Sequence, residues 1–332
     1  MFKKISVIGA GGWGTALALL LGESRAQVRL WAHNPTIADE LVTKRTNATY
    51  LPGALLPPNV YATGNLADTL DADLMLIVTP SKATREIAVK LAEAGLRPET
   101  VLVSCTKGIE HNTGKLMSQV LEECLPNNRV AVLSGPNHAE EVSRRIPAAG
   151  VVGSVHADIL DPLQKTFSMR TFRAYTSDDV TGIQLGGALK NIFAISAGVS
   201  DGFNMGDNAK AGLVTRALAE MMRLGIAMGG RRETFFGLSG VGDLMVTCFS
   251  QHSRNRRVGE RLGRGESPKQ IQESMRMVAE GVPTTFSAWQ IAEKHGIEAP
   301  ITYEVYSVLY NDKPPHEAMW ELLGRAPKPE AG

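Results

Sequence analysis

The sequence predicts an α/β protein, in which an N-terminal, doubly wound and mostly parallel sheet is followed by an all-α C-terminal domain. Gly9, Gly11 and Gly14 form a Gly-x-Gly-x-x-Gly turn between a short apolar run and a helical pattern. Short apolar runs then alternate with amphipathic stretches up to about residue 177. After residue 180 the patterns are helical, so we expect one domain over 1–180 and a second over 181–332.

The predicted strands share a short apolar run that ends in turn residues. In chain order they are ISVI (5–8), QVRLWAHNP (27–35), DLMLIVTP (73–80), TVLVSCTKG (100–108), RVAVLSGP (129–136), AAGVVGSV (148–155) and TFRAYTS (171–177). Amphipathic stretches such as ATREIAVKLAEAG (83–95) separate them, which indicates helices on both faces of the sheet.

Composition places the chain among ordinary globular proteins, with 332 residues, 43% hydrophobic and 21% charged. Its net charge of +1 provides no bulk field for nucleic acid or an anionic membrane, so neither is an expected partner. Three widely spaced cysteines argue against a disulfide framework and a zinc site, and no metal is predicted. Reduced thiols in a cytoplasmic protein are the expectation.

The apolar run at 5–22 follows Lys3 and Lys4, as in a secretory signal peptide. Four of residues 9–14 are glycine, however, and glycine breaks the continuous helix that such a signal needs. A charged segment follows the run without a small-residue cleavage site. We therefore interpret it as strand, turn and helix, and expect no membrane insertion.

The glycine turn predicts dinucleotide binding because a second strand completes a Rossmann-type βαβ unit around it. Gly9 permits the tight turn, Gly11 lets a pyrophosphate approach the backbone, and Gly14 lets helix and strand pack closely. The N–H groups of Gly12 and Trp13 begin the helix and are positioned to bind the anion. A glycine-rich packing turn without a ligand is the alternative interpretation.

The end of the second strand lacks the acid that usually accepts a hydrogen bond from the NAD ribose. The residues there are Trp31, Ala32, His33 and Asn34. A carboxylate would repel a 2′-phosphate, so its absence predicts NADP as cofactor with NAD tolerated. His33 either assists the 2′-phosphate or is an exposed loop histidine.

Lys190 is the strongest catalytic candidate, because it is the only ionisable residue between 181 and 200. Apolar surroundings lower the pKa of a lysine towards the range useful for proton transfer, which predicts a general acid/base. The alternative is a lysine whose head reaches water past a buried stem. Asp243 is the sole charge between 236 and 251, and we expect it in a partly buried loop, paired with Lys190.

Further candidates follow the predicted strands at the edge where parallel sheets bind ligands. Lys107 comes just after one strand, and Gly135 ends the next. Asn137 is expected to cap a helix that begins at His138.

A second group of candidates opens a helical stretch in the C-terminal half. Ser253, Arg254 and Asn255 combine a hydroxyl, a guanidinium and a helix N-terminus, a combination suited to a compact phosphate. For Arg256 and Arg257 a solvated face with salt bridges is the expectation.

Six motifs in register resemble the bacterial NAD(P)-dependent glycerol-3-phosphate dehydrogenases across roughly 250 residues. They are GAGGWGTALA, SCTKGIE, SGPNHAEE, QLGGALKNIFAISAG, GLSGVGDLMVTC and SRNRRVG. The resemblance implies reversible reduction of dihydroxyacetone phosphate to sn-glycerol 3-phosphate, a cytoplasmic step that feeds glycerophospholipid synthesis. It also implies a homodimer.

The resemblance also implies roles for individual residues, with Lys190 as the proton donor and acceptor. It implies substrate contacts for Lys107, Gly135, Asn137, Lys190, Asp243, Ser253, Arg254 and Asn255. It implies cofactor contacts for Gly12, Trp13, His33, Lys107, Ala139, Arg254, Val278 and Glu280. Asn137 stands where serine or threonine is usual, and His33 where arginine is frequent.

Two rival functions fit parts of the pattern. A 3-hydroxyacid or phosphogluconate-type dehydrogenase shares the domain order and a lysine base, and activity on a carboxylate without phosphate would favour it. A non-catalytic redox sensor would bind the dinucleotide and signal to a partner. The near-isolated charges of Lys190 and Asp243 argue against a sensor, which has no use for buried acid/base groups.

Overall fold

A computed structural model describes residues 2–275, 277–327 and 329–330. Within these residues one eight-stranded sheet has the order β3-β2-β1-β4-β5-β6-β7-β8. The strands are β1 (Lys4–Ile8), β2 (Gln27–Trp31), β3 (Val60–Thr63), β4 (Leu74–Ile77), β5 (Val101–Ser104), β6 (Val130–Ser134), β7 (Ala148–Gly153) and β8 (Phe172–Ser177). Neighbours are parallel except β6 and β7, so the predicted fold class is confirmed.

Helices cover both faces of this sheet. They are α1 (Gly12–Leu21), α2 (Pro35–Thr43), α3 (Ser81–Glu93), α4 (Met117–Cys124), α5 (Ala139–Val142) and α6 (Ala157–Phe167). Leu74 and Leu76 of β4 join the apolar core under α1, α2, α5 and α6. Met75 and Ile77 join the core under α3 and α4. Successive side chains of a strand point to opposite faces of the sheet, and both faces are buried here. The parallel strands therefore appear in the sequence as continuous apolar runs.

The chain becomes helical directly after the last strand. The helices are α7 (Val180–Gly202), α8 (Gly206–Ala227), α9 (Arg232–Phe235), α10 (Asp243–Phe249), α11 (Arg254–Gly263), α12 (Pro268–Ser274), α13 (Gly281–His295), α14 (Pro300–Tyr310) and α15 (Pro315–Leu323). Helix α7 is buried on every side over 182–198, so it forms the centre of the helical core. None of the described helices is both long and apolar enough to cross a membrane.

One strand was missing from the sequence prediction. Strand β3 pairs with β2 at the edge of the sheet and buries only Val60 fully, while Tyr61 is exposed. A four-residue edge strand with one buried side chain has too little apolar alternation to be recognised from sequence. It extends the sheet beside β2 and leaves the order of the other strands unchanged.

Candidate active site

The glycine turn joins β1 to α1 in a backbone conformation that requires glycine. Gly9 has φ +116°, and a Cβ there would lie 2.8 Å from the carbonyl oxygen of Val78. A Cβ on Gly14 would overlap the carbonyl oxygen of Gly9. Gly12 and Trp13 are the first residues of α1, so their N–H groups have no partner within the helix. The turn therefore has the geometry of an anion-binding site.

One atom beside the turn points to a bound group, and α5 packs close to it. The indole Nε1 of Trp13 is buried and has no hydrogen-bond partner among the described residues. Ala139 begins α5, and its Cβ lies 3.7 Å from the position that a Cβ on Gly12 would take. The prediction that Asn137 caps this helix is wrong, because α5 begins at Ala139 and its N-cap, His138, makes no side-chain cap.

Lys107 crosses the loop after β6 and explains the missing cap. Its Nζ donates to the backbone oxygen of Gly135 at 2.8 Å and to Oδ1 of Asn137 at 3.2 Å. It also donates to Oδ2 of Asp243 at 2.6 Å, which joins the sheet edge to the helical half. The amide oxygen of Asn137 is thus held by an ammonium group, a stronger partner than a helix N–H.

Lys190 shares the same carboxylate. Its Nζ donates to Oδ1 of Asp243 at 2.7 Å and to the hydroxyl of Thr247 at 2.6 Å. Asp243 is 1% exposed and is the first residue of α10, which corrects the expectation of a partly buried loop. One buried carboxylate therefore bridges two ammonium groups, one from the sheet edge and one from α7.

The charges of this cluster favour proton transfer. Burial lowers the pKa of Lys190 to about 8, against the opposing effect of Asp243. For Asp243, burial alone raises the pKa, but Lys107 and Lys190 together outweigh burial and hold the pKa below its usual value. At neutral pH the carboxylate is therefore ionised, and Lys190 carries a proton that it loses near pH 8 rather than near the 10.5 of an ordinary lysine.

The N-terminus of α11 lies against α7 beside this cluster. The hydroxyl of Ser253 caps the helix and accepts from the N–H of Arg256 at 3.2 Å. Nδ2 of Asn255 donates to Oδ1 of Asn191 at 2.8 Å, and Oδ1 of Asn255 accepts from the N–H of Gly281 at 2.9 Å. Because Asn191 follows Lys190 on α7, these bonds fix the N-terminus of α11 relative to the cluster of Lys190, Asp243 and Lys107.

The neighbouring guanidinium groups differ in their partners. Arg254 donates to the backbone oxygen of Val278 at 2.9 Å, and its guanidinium is charged. Arg256 instead donates to Asp201 at 2.5 Å, in keeping with the predicted salt-bridged role. Of the three arginines, Arg256 is therefore the ion-paired one, while Arg254 and Arg257 have no carboxylate within ion-pair distance among the described residues.

Glu280 connects the helical half of the chain to the beginning of α3, which covers one face of the sheet. Its carboxylate accepts from the N–H of Ser81 at 3.0 Å and from the Ser81 hydroxyl at 2.6 Å, at the beginning of α3. Burial raises the pKa of Glu280, and the bonds from Ser81 oppose that shift. The ring of His33 lies exposed beyond β2, with its centroid 5.8 Å from that of Trp31.

Comparison with known proteins agrees with this geometry. The model of the NAD-dependent glycerol-3-phosphate dehydrogenase N-terminus matches residues 4–159, and that of the C-terminus matches residues 179–320. The chain belongs to this dehydrogenase family. A Lysinibacillus sphaericus glycerol-3-phosphate dehydrogenase [NAD(P)+] is 46% identical over 99% of this chain and 98% of its own. A Chlorobium phaeobacteroides counterpart is 44% identical over 99% of both chains.

A solved glycerol-3-phosphate dehydrogenase structure from Coxiella burnetii is also similar to this chain. It superposes with a TM-score of 0.94 at 38% identity and covers 97% of this chain and 99% of its own. The family resemblance drawn from the motifs is thereby confirmed.

Two polar residues of this dehydrogenase's cluster escaped sequence analysis. Thr247 contacts Lys190 because it lies one helical turn after Asp243, a spacing readable only once 243–249 is assigned to a helix. Asn191 contacts the predicted candidate Asn255 across the two helices, and an uncharged asparagine does not stand out beside Lys190 in sequence. Both signals are weak in sequence because uncharged polar side chains occur throughout protein surfaces.

Proposed function

We propose that this chain catalyses the NAD(P)-dependent, reversible reduction of dihydroxyacetone phosphate to sn-glycerol 3-phosphate, for glycerophospholipid synthesis. The observation that carries the proposal is the buried cluster of Lys190, Asp243 and Lys107, between a dinucleotide-type glycine turn and a phosphate-type helix end. Family membership over both halves of the chain supports it.

The residues at the glycine turn fit a dinucleotide. The buried, unpartnered Nε1 of Trp13 and the glycine-only backbone of Gly9 and Gly14 are the observations that support this fit. The residues proposed to hold the cofactor are Gly9, Gly11, Gly12, Trp13, Gly14, His33, Lys107, Ala139, Arg254, Val278 and Glu280. When bound, the nicotinamide supplies the hydride. No acid stands at the end of β2, which supports NADP with NAD tolerated.

The substrate phosphate is assigned to the N-terminus of α11. Ser253, Arg254 and Asn255 present helix-end donors, a charged guanidinium and an amide held in place by Asn191. Binding energy from this remote phosphate orients the ketone beside Lys190, so the chemical step gains from positioning. Gly135 and Asn137 complete the proposed substrate contacts at the sheet edge.

Lys190 is assigned the proton transfer. In the reductive direction its ammonium donates to the oxygen developing charge at C2, and in the oxidative direction neutral Lys190 accepts that proton. A pKa of about 8 allows both directions near neutral pH. Asp243 and Thr247 fix the Nζ through bonds of 2.7 and 2.6 Å, while Lys107 balances the carboxylate.

The proposed function includes a division into two domains, a homodimeric state and a cytoplasmic location. We place the domain division at residue 180, because β8 ends at Ser177 and α7 begins at Val180. The two family models likewise break between residues 159 and 179. A homodimer in the cytoplasm is proposed from the family resemblance.

The test is an absorbance assay of reduced-cofactor oxidation with purified protein, dihydroxyacetone phosphate, and NADPH or NADH. We expect rapid oxidation, and Lys190→Ala should lower kcat about 100-fold or more while NADPH binding survives. Lys210→Ala is the matched control, because Lys210 is also a buried lysine paired with an aspartate, Asp201 at 2.8 Å, in the helical half. It should retain kcat.

Tight NADPH binding without turnover would contradict the proposal. Turnover of a carboxylate substrate would then identify another hydroxyacid dehydrogenase, and its absence would favour the sensor.

A further inference from the structure

A cavity in the helical half of the chain lies outside the proposed active site. Its volume is about 600 Å³, within the roughly 300–1,000 Å³ that is typical of small-molecule sites. Its walls come mainly from α7, α8, α14 and α15. Among the described residues, its lining includes none of those proposed to hold cofactor or substrate. The proposed reaction therefore does not account for this cavity.

The cavity is long and narrow. The residues of α8 that line it extend from Asn208 to Arg223, which corresponds to about 22 Å along the helix. Spread over that length, the volume gives a mean cross-section of roughly 30 Å². Gly212 and Leu323 line the cavity and are exposed, so it is open to solvent. This shape suits one extended chain rather than a compact ring system.

One end of the cavity is mostly apolar. Beside the first half of α8, its walls come from the end of α7, the end of α14 and the beginning of α15. The apolar side chains at this end include Val199, Met205, Leu213, Val305, Val308 and Met319. Such a wall favours a ligand that brings apolar surface out of water.

The other end carries guanidinium groups. Arg216 and Arg223 lie on the second half of α8, and Arg325 is paired with Glu298. Arg216 donates to the backbone oxygen of Glu330 at 3.2 Å, and Arg223 donates to that of Glu298 at 2.9 Å. Neither of these two has a carboxylate within ion-pair distance in the ranges that the structure describes. A guanidinium has five N–H donors, so both retain donors for a ligand.

The acidic side chains of the lining have other positions or partners. Glu220 is 0% exposed, and its carboxylate accepts three hydrogen bonds from the beginning of α14. Glu304 accepts from Lys313 at 2.6 Å, and Glu330 is exposed at the end of the described chain. The two arginines of α8 are therefore available to an external anion.

We propose that this cavity binds a single-chain anionic amphiphile. Its alkyl chain lies along the apolar end, and its carboxylate or phosphate headgroup binds Arg216 and Arg223. The planar fork of a guanidinium matches both headgroups. The separation of an apolar and a cationic end within one narrow cavity carries the inference. The site lies beyond the proposed function and does not depend on it.

The test is isothermal titration calorimetry of the full-length protein with decyl phosphate, below the concentration at which this compound forms micelles. We expect one site per chain. Each buried methylene strengthens binding about fourfold, so octyl phosphate, with a shorter chain, should bind about 15-fold more weakly. Decanol lacks the charge and should bind about 10-fold more weakly or worse. Binding of decanoate or decyl phosphate supports the proposal, and the tighter of the two identifies the headgroup.

Two variants test the two ends of the cavity. A Cβ on Gly212 would meet nothing within 4 Å, so Gly212→Phe places a ring in open space at the cavity. It should lower the affinity for decyl phosphate about 10-fold or more. Ala211→Phe is the matched control, because Ala211 is the exposed neighbour on α8 that does not line the cavity. Arg216→Gln should weaken decyl phosphate about 10-fold and leave decanol unchanged.

Several results would refute the proposal. They are the lack of a saturable site, equal affinity for octyl and decyl phosphate, and native affinity in a folded Gly212→Phe protein. If the native protein binds no amphiphile and light scattering shows that Gly212→Phe alone changes the molar mass, the cavity is a contact between copies of this chain. Circular dichroism first establishes that each variant is folded. If Gly212→Phe is not, Arg216→Gln with decyl phosphate and decanol decides.

Discussion

Replacing Asp243 by asparagine tests whether this carboxylate sets the protonation of Lys190. The carboxylate accepts from Lys190 at 2.7 Å and from Lys107 at 2.6 Å, and it opposes the effect of burial on the pKa of Lys190. Without it, burial acts together with the unbalanced charge of Lys107. The pKa of Lys190 must then fall below its native value of about 8.

One adjacent opposite charge changes the pKa of an ionisable group by about 1–3, and this sets the expected fall in the pKa of Lys190. With a shift of about two units, the protonated fraction of Lys190 at pH about 7.5 falls from about three quarters to about 3%. Reduction of the ketone needs that proton, so its rate at this pH should fall about 25-fold. The decline in rate with rising pH should begin about two units lower than in the native protein.

The assay is the initial rate of NADPH oxidation with saturating dihydroxyacetone phosphate, measured from about pH 6 to 9.5. Breaking a buried ion pair costs about 3–5 kcal/mol, so circular dichroism must first show that the variant is folded at the assay temperature. Asp201→Asn is the matched control, because Asp201 also pairs with a buried lysine, Lys210. It should lose stability and keep the native pH profile. An unshifted profile in Asp243→Asn would refute the reasoning.

Three further predictions concern the turn, the cofactor and the helical core. Gly14→Ala should lower Tm by roughly 3–10 °C in a thermal melt and weaken NADPH binding, because its Cβ overlaps the carbonyl of Gly9. His33→Asp should lower kcat/KM for NADPH about 10-fold and leave NADH nearly unchanged, because the new carboxylate repels the 2′-phosphate. Glu220→Ala should destabilise by about 3 kcal/mol in calorimetry, since its buried carboxylate accepts three hydrogen bonds from the beginning of α14.

Each of these three predictions has a control or an outcome that would contradict it. Gly212 has open space around it within α8, so Gly212→Ala serves as the control for Gly14 and should leave both quantities intact. Equal loss in both alanine variants would show that the turn has no special packing. An unchanged NADPH-to-NADH ratio in His33→Asp would separate this residue from cofactor choice. A native calorimetric Tm in Glu220→Ala would mean that water replaces the carboxylate.

Features of the candidate site could be predicted from the sequence where local stereochemistry or an isolated charge allows few other structures. The glycine turn is one case, because the left-handed φ of Gly9 and the contact at Gly14 exclude any side chain. The ion pair of Lys190 with Asp243 is another, although 53 residues separate them. Each was a single charge in an apolar stretch, and a buried charge is stable only with an opposite partner.

The predictions that were wrong concern residues whose local conformation is determined by tertiary contacts. The glycines around Asp243 suggested a loop, but Leu238–Gly242 form a turn, kinked at Gly240, that leads directly into α10. Asn137 has the chemistry of a helix cap, but its amide oxygen is taken by Lys107 from another loop. Propensity is a weak prior in such places, since a charged partner supplied by the fold outweighs it.

The contact between α7 and α11 keeps Lys190, the proposed proton donor, at a fixed separation from the proposed phosphate site at the N-terminus of α11. A methyl group at Gly198 of α7 or at Gly259 of α11 would overlap a backbone carbonyl of the opposite helix. The helices therefore meet backbone to backbone, with no flexible side chain between them. Lys190 on α7 and Asn255 on α11 are therefore held at fixed relative positions. The Asn191–Asn255 hydrogen bond of 2.8 Å fixes the register of the two helices. A ketose phosphate has a set length between phosphate and carbonyl, so a substrate bound as proposed is oriented by this rigid spacing without further ordering of the protein.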